Sequence, residues 1–583
     1  MNPPEEAAPS DRWQLRPRTA RLVLGLLVGS FFLVGWATSS NHLSQFTGDI
    51  GVKLLQIDNL ARGHAWLDSP GGELDPRGEL FPLRPPFIVT HDDKTYSVYL
   101  NPVTYLAAAA YPTLGFRGGR LFVLLCALGS VAAARWLALG AGLAEQRARL
   151  AGALTLFATP LWLYGWVFWE HGPATLLCAL GTAAVLRESR EAFPRWSLTA
   201  TVALGVGMAC RPEVFLFALA LALAVLWVDR RPAVAALLVV GTPVAYALTG
   251  VSLPGMPFLE NAGLILEKVF GLWSGTNGEF SWLDSRTTIV ERLLIGALGA
   301  ESAVSVAARR CALALTVLLL IQGVLGRLGR PLRKLGAVAT AITSLLLIAP
   351  ALSLARNPQT LLDGLLVCCP LALAALPQPA REGEPSPSRG MRIVGITAAA
   401  FLCAALLLAQ NSGGNQWGPR YLLPAMPLIA CLVASRRELT LPWTNADDRL
   451  RGATLVTLLI ASLCIQGLGM RNHLMNSRAK AAGWERVAAM KADVFLTPVW
   501  FLPQEGAGLA LREETPFLLA GSQEALADAL ERLEVARIPA FVFFEIGRPN
   551  PGPRRFGRYV ETQSTELYLQ PFVVRASRFD LSP

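Results

Sequence analysis

The stretch Phe46-Thr47-Gly48-Asp49-Ile50-Gly51-Val52-Lys53-Leu54-Leu55-Gln56-Ile57-Asp58-Asn59-Leu60-Ala61-Arg62-Gly63 follows the first long apolar run and decides how the chain is read. Ile50, Leu54, Ile57 and Leu60/Ala61 recur at helical spacing, and Gly63 is a natural stop. The pattern predicts an amphipathic helix on the outer leaflet of a membrane, with Asp49 at its N-terminus. The plainer reading makes Asp49 the N-cap, since an acid at a helix start is common. The two readings are compatible, because a cap can present its second oxygen to a substrate. An acid held at the outer edge of a hydrophobic bundle points to chemistry on a membrane-bound substrate.

Composition supplies the bundle. Of 583 residues, 53% are hydrophobic and 16% are charged, too apolar for an ordinary soluble protein. Apolar runs of roughly 17–22 residues recur, long enough to span a bilayer as helices. The net charge of +10 does not mark a nucleic-acid partner: the arginines cluster in short loops between apolar runs, and no basic patch is interleaved with aromatics. The nine cysteines all fall in or beside apolar runs without metal-type spacing, and they read as small core residues.

The arginines also orient the chain. Arg12, Arg16, Arg18 and Arg21 place residues 1–21 in the cytoplasm, ahead of an uncleaved first span at 22–39. Residues 40–118 form an acidic external loop, within which 98–114 is an interfacial helix. Further spans fall at 119–138, 150–167 and 172–186. Residues 196–228 form two short helices broken at Arg211-Pro212, and another span covers 232–250. A second external loop, 251–308, carries Trp273, Asn277, Glu279, Trp282 and Asp284, which read more as an interfacial loop than as a sugar site. Spans at 311–326, 335–353, 359–377, 393–409, 420–435 and 452–469 follow, joined by basic links and one Pro-rich link at 379–387. The fold class is therefore an α-helical polytopic membrane protein of about 13 transmembrane helices. A transmembrane domain at 22–470 precedes a small extracytoplasmic α/β domain at 471–583. In that domain Val494–Leu502 and Pro539–Glu545 read as strands, and Ser522–Arg537 as a helix with Ser522 as N-cap.

Three further constellations lie on the outer face. Trp169-Glu170-His171 ends a span: Glu170 is suited to a metal or sugar hydroxyls and His171 to a metal or phosphate, and an aromatic interfacial belt is the equal alternative. Arg211-Pro212-Glu213 interrupts an apolar run, where an ionisable residue is costly and marks function by default. Proline disfavours helix at Arg211 and frees backbone groups, giving a polar cavity fit for a phosphate. The plainer reading is an Arg211–Glu213 or Arg211–Glu170 pair. Gln416-Trp417-Gly418-Pro419-Arg420-Tyr421 enters a late span after the polar stretch 411–415, with Arg420 at its outer end. A helix-entry turn explains Pro419 well and the Arg420-Tyr421 pair less well.

With Thr47-Gly48-Asp49, the helix behind it, Tyr96-Ser97-Val98-Tyr99-Leu100-Asn101-Pro102, Arg211-Pro212-Glu213 and Trp417-Gly418-Pro419-Arg420-Tyr421, the chain resembles the polytopic GT-C glycosyltransferases over about residues 20–470. That group includes protein O-mannosyltransferases and aminoarabinose transferases of lipid A. The resemblance implies a polyprenyl-phosphate sugar donor, an envelope acceptor, inversion at the anomeric carbon and a multi-pass protein of a bacterial inner membrane with an outward-facing site. Carried over, Asp49 is the base for the acceptor hydroxyl, and Arg211 and Arg420 stabilise the departing phosphate. Lys53, Tyr96, Tyr99, Glu170, His171, Glu213, Gln416 and Tyr421 complete the expected substrate-binding set. A divalent metal ion is a candidate cofactor, with Asp49 and His171 as its ligands. In the O-mannosyltransferase pattern a second acid directly follows the first. Here Ile50 follows Asp49, which argues against that subgroup. A transporter or flippase of lipid-linked saccharides is the alternative, but no internal repeat is evident and the candidate charges gather at one face. A polymerase or ligase with its large loop late in the chain, and a sensory protein using the α/β tail, fit less well.

Overall fold

The structure is a computed structural model and describes residues 17–39, 43, 46–68, 71–188, 195–249, 282–298, 303–324, 330–347, 352, 354–357, 360–376, 386–409, 416–439, 446–547, 554–569 and 572–582. Trp273, Asn277 and Glu279, the side chains of Trp282 and Asp284, the stretch 411–415 and the link 379–385 lie outside the described residues.

The chain is mostly helical. Helices α1 (Pro17–Ser39), α2 (Gly48–Ala61), α3 (Pro102–Leu114), α4 (Phe116–Gly140), α5 (Glu145–Phe157), α6 (Leu161–Tyr164), α7 (His171–Arg187), α8 (Arg195–Cys210), α9 (Val214–Asp229) and α10 (Pro232–Leu248) form its first half. Later helices include Ala303–Val324, Arg330–Leu346, Arg389–Leu408, Met426–Ala434 and Ala446–Ala488. One large apolar core joins α1 to α10 with most of these later elements. Among the described residues, three helical segments are long and apolar enough to cross a membrane: Phe116–Gly140, Arg389–Leu408 and Asp448–Ala488.

Several expected elements are redrawn. The run 150–167 is not one helix. α5 ends at Phe157, Thr159 bonds back to the Thr155 carbonyl, and Pro160 starts the short α6. Proline cannot continue the hydrogen-bond ladder, so the chain turns there. The run 359–377 breaks into a two-residue strand (β4, Leu361–Leu362, paired with β3, Ala297–Leu298), one helical turn and a 3-10 turn, because Gly364 and Pro370 punctuate it. The span expected at 452–469 belongs to a helix that continues to Ala488, well past the expected boundary at 471. By contrast, α8 and α9 meet at Arg211-Pro212 as read from the sequence, and α7 covers the residues expected to be helical at 172–186.

Beyond residue 493 lies a six-stranded sheet in the order β6-β5-β7-β10-β9-β8. Its strands are β5 (Val494–Thr497), β6 (Phe517–Leu519), β7 (Ala540–Ile546), β8 (Arg555–Phe556), β9 (Tyr559–Leu569) and β10 (Phe572–Leu581). β5 runs parallel to β6 and β7, whereas β10 is antiparallel to β7 and β9. Alternation sorts the two faces: Phe495, Val542 and Phe544 pack on one side, Val494, Leu496, Phe541 and Phe543 on the other. The expected helix is present as Gln523–Val535, with the Ser522 side chain accepting the Ala525 N–H. The strand expected at 494–502 stops at Thr497, and Leu502–Glu505 is a helical turn.

The first polar loop docks on this sheet. A hairpin of β1 (Ile88–His91) and β2 (Lys94–Ser97) lies within the loop. The Leu519 N–H donates to the Leu80 carbonyl at 2.9 Å, Arg532 bonds Leu74 and Asp75, and Phe87 stacks on Trp500. Residues 71–97 and the C-terminal sheet therefore share one side of the helical core.

Candidate active site

Helix α2 begins with Thr47 in extended conformation, and Asp49 is its second residue. Asp49 is thus not the N-cap; it sits in the first turn, where an acid suits the helix dipole. The helix does not lie free on a membrane surface. Ile50, Leu54 and Ile57 are buried as expected, but so are Val52, Lys53, Gln56 and Asn59. One face packs on α3 and the bundle, and another meets the C-terminal helices through Gly48 and Gly51. Gly63 takes φ +98°, a left-handed conformation that a side chain would strain.

One turn after Asp49, Lys53 points into the protein. Its Nζ lies 2.8 Å from Glu170 Oε2, with the two side chains only 1% and 2% exposed. The other Glu170 oxygen accepts from Asn101 Nδ2 at 3.0 Å. Asn101 is fixed in turn as the N-cap of α3: its Oδ1 accepts from the Val103 and Thr104 N–H groups, and the Thr104 hydroxyl accepts from the Asn101 N–H. The Lys53 ammonium also sits 4.6 Å from the Tyr99 ring centroid, a cation–π contact. Burial lowers the Lys53 pKa from its ordinary value, opposed by the charges of Glu170 and Asp49. Burial also acts to raise the Glu170 pKa, but Lys53 and Arg211 outweigh it and hold the carboxyl below its ordinary value. The Tyr99 phenol is pushed well up by burial and by the Asp49 and Glu170 charges.

The break between α8 and α9 brings Arg211 and Glu213 to the same place. Arg211 Nε donates to Glu213 Oε1 at 2.9 Å, the pair that the plainer sequence reading names. His171 Nδ1 lies 3.5 Å from the same oxygen, too far for a good hydrogen bond. The Arg211 guanidinium carbon is 5.8 Å from the Tyr421 ring centroid.

Arg420 closes the cluster. Gly418 has φ +68°, its N–H donates to the Leu362 carbonyl at 2.7 Å, and an added Cβ would run into Pro160. The Trp417 indole donates to Gln466 at 2.8 Å, and Gln466 bonds the Cys368 carbonyl at 2.6 Å. This scaffold sets Arg420 over Trp169 and Tyr421, 5.3 and 5.2 Å from the ring centroids. Arg420 Nη1 reaches Asp49 Oδ2 at 3.4 Å, the side chains being 14% and 22% exposed. Arg420 Nε is buried without a hydrogen-bond partner among the described residues, and so is the Tyr164 hydroxyl, whose ring stacks on Trp169 at 5.4 Å.

Of the residues expected from the sequence, Asp49, Lys53, Tyr99, Glu170, His171, Arg211, Glu213, Arg420 and Tyr421 thus converge. Tyr96 is buried in β2, and no hydrogen bond, ion pair or ring contact to this cluster is found for it among the described residues. Gln416 is fully buried ahead of Trp417. Asn101, Tyr164, Trp169 and Gln466 join the site without having been assigned roles. The Asn101-Pro102 pair was a usable signal, since an N-cap asparagine before a first-turn proline is a recurrent helix start. For the divalent ion the fit is poor: among the described residues no three His, Cys, Asp or Glu side chains converge. Arg420 takes the Asp49 oxygen that a cation would need, and Glu213 faces His171.

No protein-family model matches the chain. No curated protein matches it either. Among solved structures it is similar to ArnT from Cupriavidus metallidurans bound to undecaprenyl phosphate, with 13% identity over 96% of this chain and 98% of that one, at a TM-score of 0.49. The apo state of the same protein gives 14% identity and a TM-score of 0.39. The Archaeoglobus fulgidus oligosaccharyltransferase tethered to an acceptor peptide gives 10% identity over 89% of this chain and 69% of that one, at a TM-score of 0.39. With every TM-score below 0.5, these likenesses carry no weight in assigning an activity to the chain.

Proposed function

We propose that the protein is a membrane glycosyltransferase that moves a sugar from a polyprenyl-phosphate donor to an acceptor hydroxyl outside the cytoplasm, on an envelope glycan, lipid or protein. One observation carries this reading: Asp49 and Arg420 meet loosely, at 3.4 Å, on the more open side of a cluster whose other charges are closed into tight pairs. A carboxylate and a guanidinium that remain partly exposed can take up a proton and a phosphate, respectively.

In this mechanism Arg420 and Arg211 bind the donor phosphate, and a bound phosphate competes with Asp49 for Arg420. The acceptor hydroxyl attacks the anomeric carbon. The new carbon–oxygen bond forms as the bond to the phosphate oxygen breaks, and that electron pair leaves with the polyprenyl phosphate. Asp49 takes the hydroxyl proton, and the arginines stabilise the charge on the leaving phosphate. A single displacement of this kind inverts the anomeric centre. Glu170 and Asn101 hold Lys53 in place beside the reacting groups, and Tyr421 and Tyr99 supply ring faces and hydroxyls. No step is routed through a metal ion.

The same reading takes the chain as a multi-pass inner-membrane protein of about 13 spans, with its site, first loop and C-terminal domain facing outward. The docking of residues 71–97 on the C-terminal sheet supports putting those two on one side. The test is release of sugar from a panel of radiolabelled polyprenyl-phosphate sugars by the purified protein and by Asp49→Asn. Transfer should fall by about 10²–10⁴-fold in the variant, with its thermal unfolding unchanged. Full activity of Asp49→Asn removes the base. Binding without release by any donor favours a transporter.

A further inference from the structure

The C-terminal domain reaches the candidate site at one point. The helical turn Leu502–Glu505 lies against α2, and its Gln504 is buried. A Cβ on Gly48 would meet Gln504 Oε1 at 2.7 Å and Gln504 Cβ at 3.0 Å. A Cβ on Gly51 would run into the Gln504 backbone carbonyl and approach Ala507 Cβ at 3.2 Å. Neither glycine has a positive φ. They are therefore required for space, because their backbone conformation is open to any residue. Spaced three apart, they open a groove on one face of α2, and Asp49 lies between them in the sequence.

The turn is braced from behind. Lys480, on the helix Ala446–Ala488, pairs with Glu505 at 3.1 Å, with the side chains 11% and 12% exposed. Leu502 packs in the core beside Trp484 and Phe517. From the bundle side, α2 is held by Lys53–Glu170. The helix is thus gripped from both sides, and both grips lie about one turn or less from Asp49.

We propose that Gln504 of the C-terminal domain is a positioning residue for Asp49, seated in the Gly48/Gly51 groove and fixing the height of α2 over Arg420. This rests on the reading of Asp49 as the base. A displacement of about 1 Å at a reacting group can cost roughly 10²-fold in rate, so a helix pushed off Gln504 loses turnover while the arginines still bind donor.

The test uses full-length protein in lipid, with kcat and donor KM measured beside hydrogen exchange of the α2 amides. Gly48→Ala, which strikes the Gln504 side chain, should lower kcat by about 10–10²-fold with little change in KM, and should speed exchange in α2. Gln504→Gly alone, which removes the side chain seated on Gly48, should likewise lower kcat with little change in KM and speed exchange in α2. Gly51→Ala strikes the Gln504 backbone carbonyl and should lower kcat at least as far. Alanine favours helix over glycine, so a loss in either alanine variant is steric. The proposal is overturned if kcat is unchanged in Gly48→Ala or in Gln504→Gly. If wild-type protein transfers from no donor, the proposed activity fails separately. Exchange then decides the clamp, and unaltered exchange in Gly48→Ala overturns it.

Discussion

Two ion pairs leave α2 one turn apart, and they differ in kind. Lys53–Glu170 is closed: 2.8 Å, sealed from solvent, with the second carboxylate oxygen occupied by Asn101. Asp49–Arg420 is open: 3.4 Å, partly exposed, with Arg420 Nε lacking a hydrogen-bond partner among the described residues. A buried pair adds little net stability, because desolvation offsets its attraction, yet losing one partner leaves a buried charge and is costly. Lys53–Glu170 therefore fixes the register of α2 against the bundle. The looser pair can exchange partners, which a reacting group must do. The same helix thus carries a fixed end and a working end.

The comparison can be broken most severely at the closed end. Glu170→Gln leaves the Lys53 ammonium facing an amide, and we expect a loss of about 3–5 kcal/mol of stability, measured by thermal or denaturant unfolding. An unchanged midpoint would mean that the pair does not hold the helix. At the open end the stability cost is small and the kinetic cost large. Arg420→Ala should lower kcat by about 10²–10³-fold, and Arg420→Lys should recover little of it, since a point charge does not replace a planar fork. Equal activity in all three proteins would take Arg420 out of the chemistry.

Gly418→Ala tests the scaffold behind the open end. Forcing φ +68° on alanine against Pro160 should cost about 1–3 kcal/mol. It should also raise the donor KM by displacing Arg420. A wild-type melting temperature and KM would show that the turn tolerates a side chain.

The smallest effect is the pH dependence of the closed pair. The Glu170 carboxyl sits below its ordinary value of 4.5, so its contribution is fully present above that pH and is lost as pH falls through the lower folded value. Lys53 is lowered, so the unfolded chain binds more protons between its folded value and 10.5, and stability rises with pH across that window as well. Neither slope exceeds about 1.4 kcal/mol per pH unit for one proton. Unfolding free energies measured from pH 3 to 5 should flatten in Glu170→Gln; an identical acid slope would assign it to other carboxylates.

Much of the site was legible as chemistry. The charge at Arg211 stood out because an ionisable residue inside an apolar run is expensive; it is partly buried, and Glu170 and Glu213 beside it are buried. The helix break at Arg211-Pro212 followed from proline alone. What escaped was the role of groups that look ordinary in one dimension. Gln466, deep in a long helix, holds Trp417, and Asn101 secures the far oxygen of Glu170. An amide in a helix or a cap carries no mark of its distant partner. The run 150–167 was hydrophobic enough for a span, and only the structure shows that it breaks at Ala158–Pro160 and that Tyr164, in the short α6, stacks on Trp169.

The sequence by itself determined a chain of apolar helices with a strand-rich tail, because hydrophobic run length and alternation report which surfaces must leave water. It also determined which charges were worth suspecting, through the cost of burying them. Only the tertiary structure decided which charge faces which. It paired Lys53 with Glu170 across 117 residues and Asp49 with Arg420 across 371. It also turned α2 from an exposed amphipathic helix into a buried one, with Val52 packed on Leu67, Phe81 and Leu83 of the first loop and Gln504 seated on Gly48 and Gly51. Periodicity measures one apolar face, whereas burial of the others depends on how the first loop folds back over Val52, on Gln504 more than 450 residues away, and on glycines whose contribution is the space they leave.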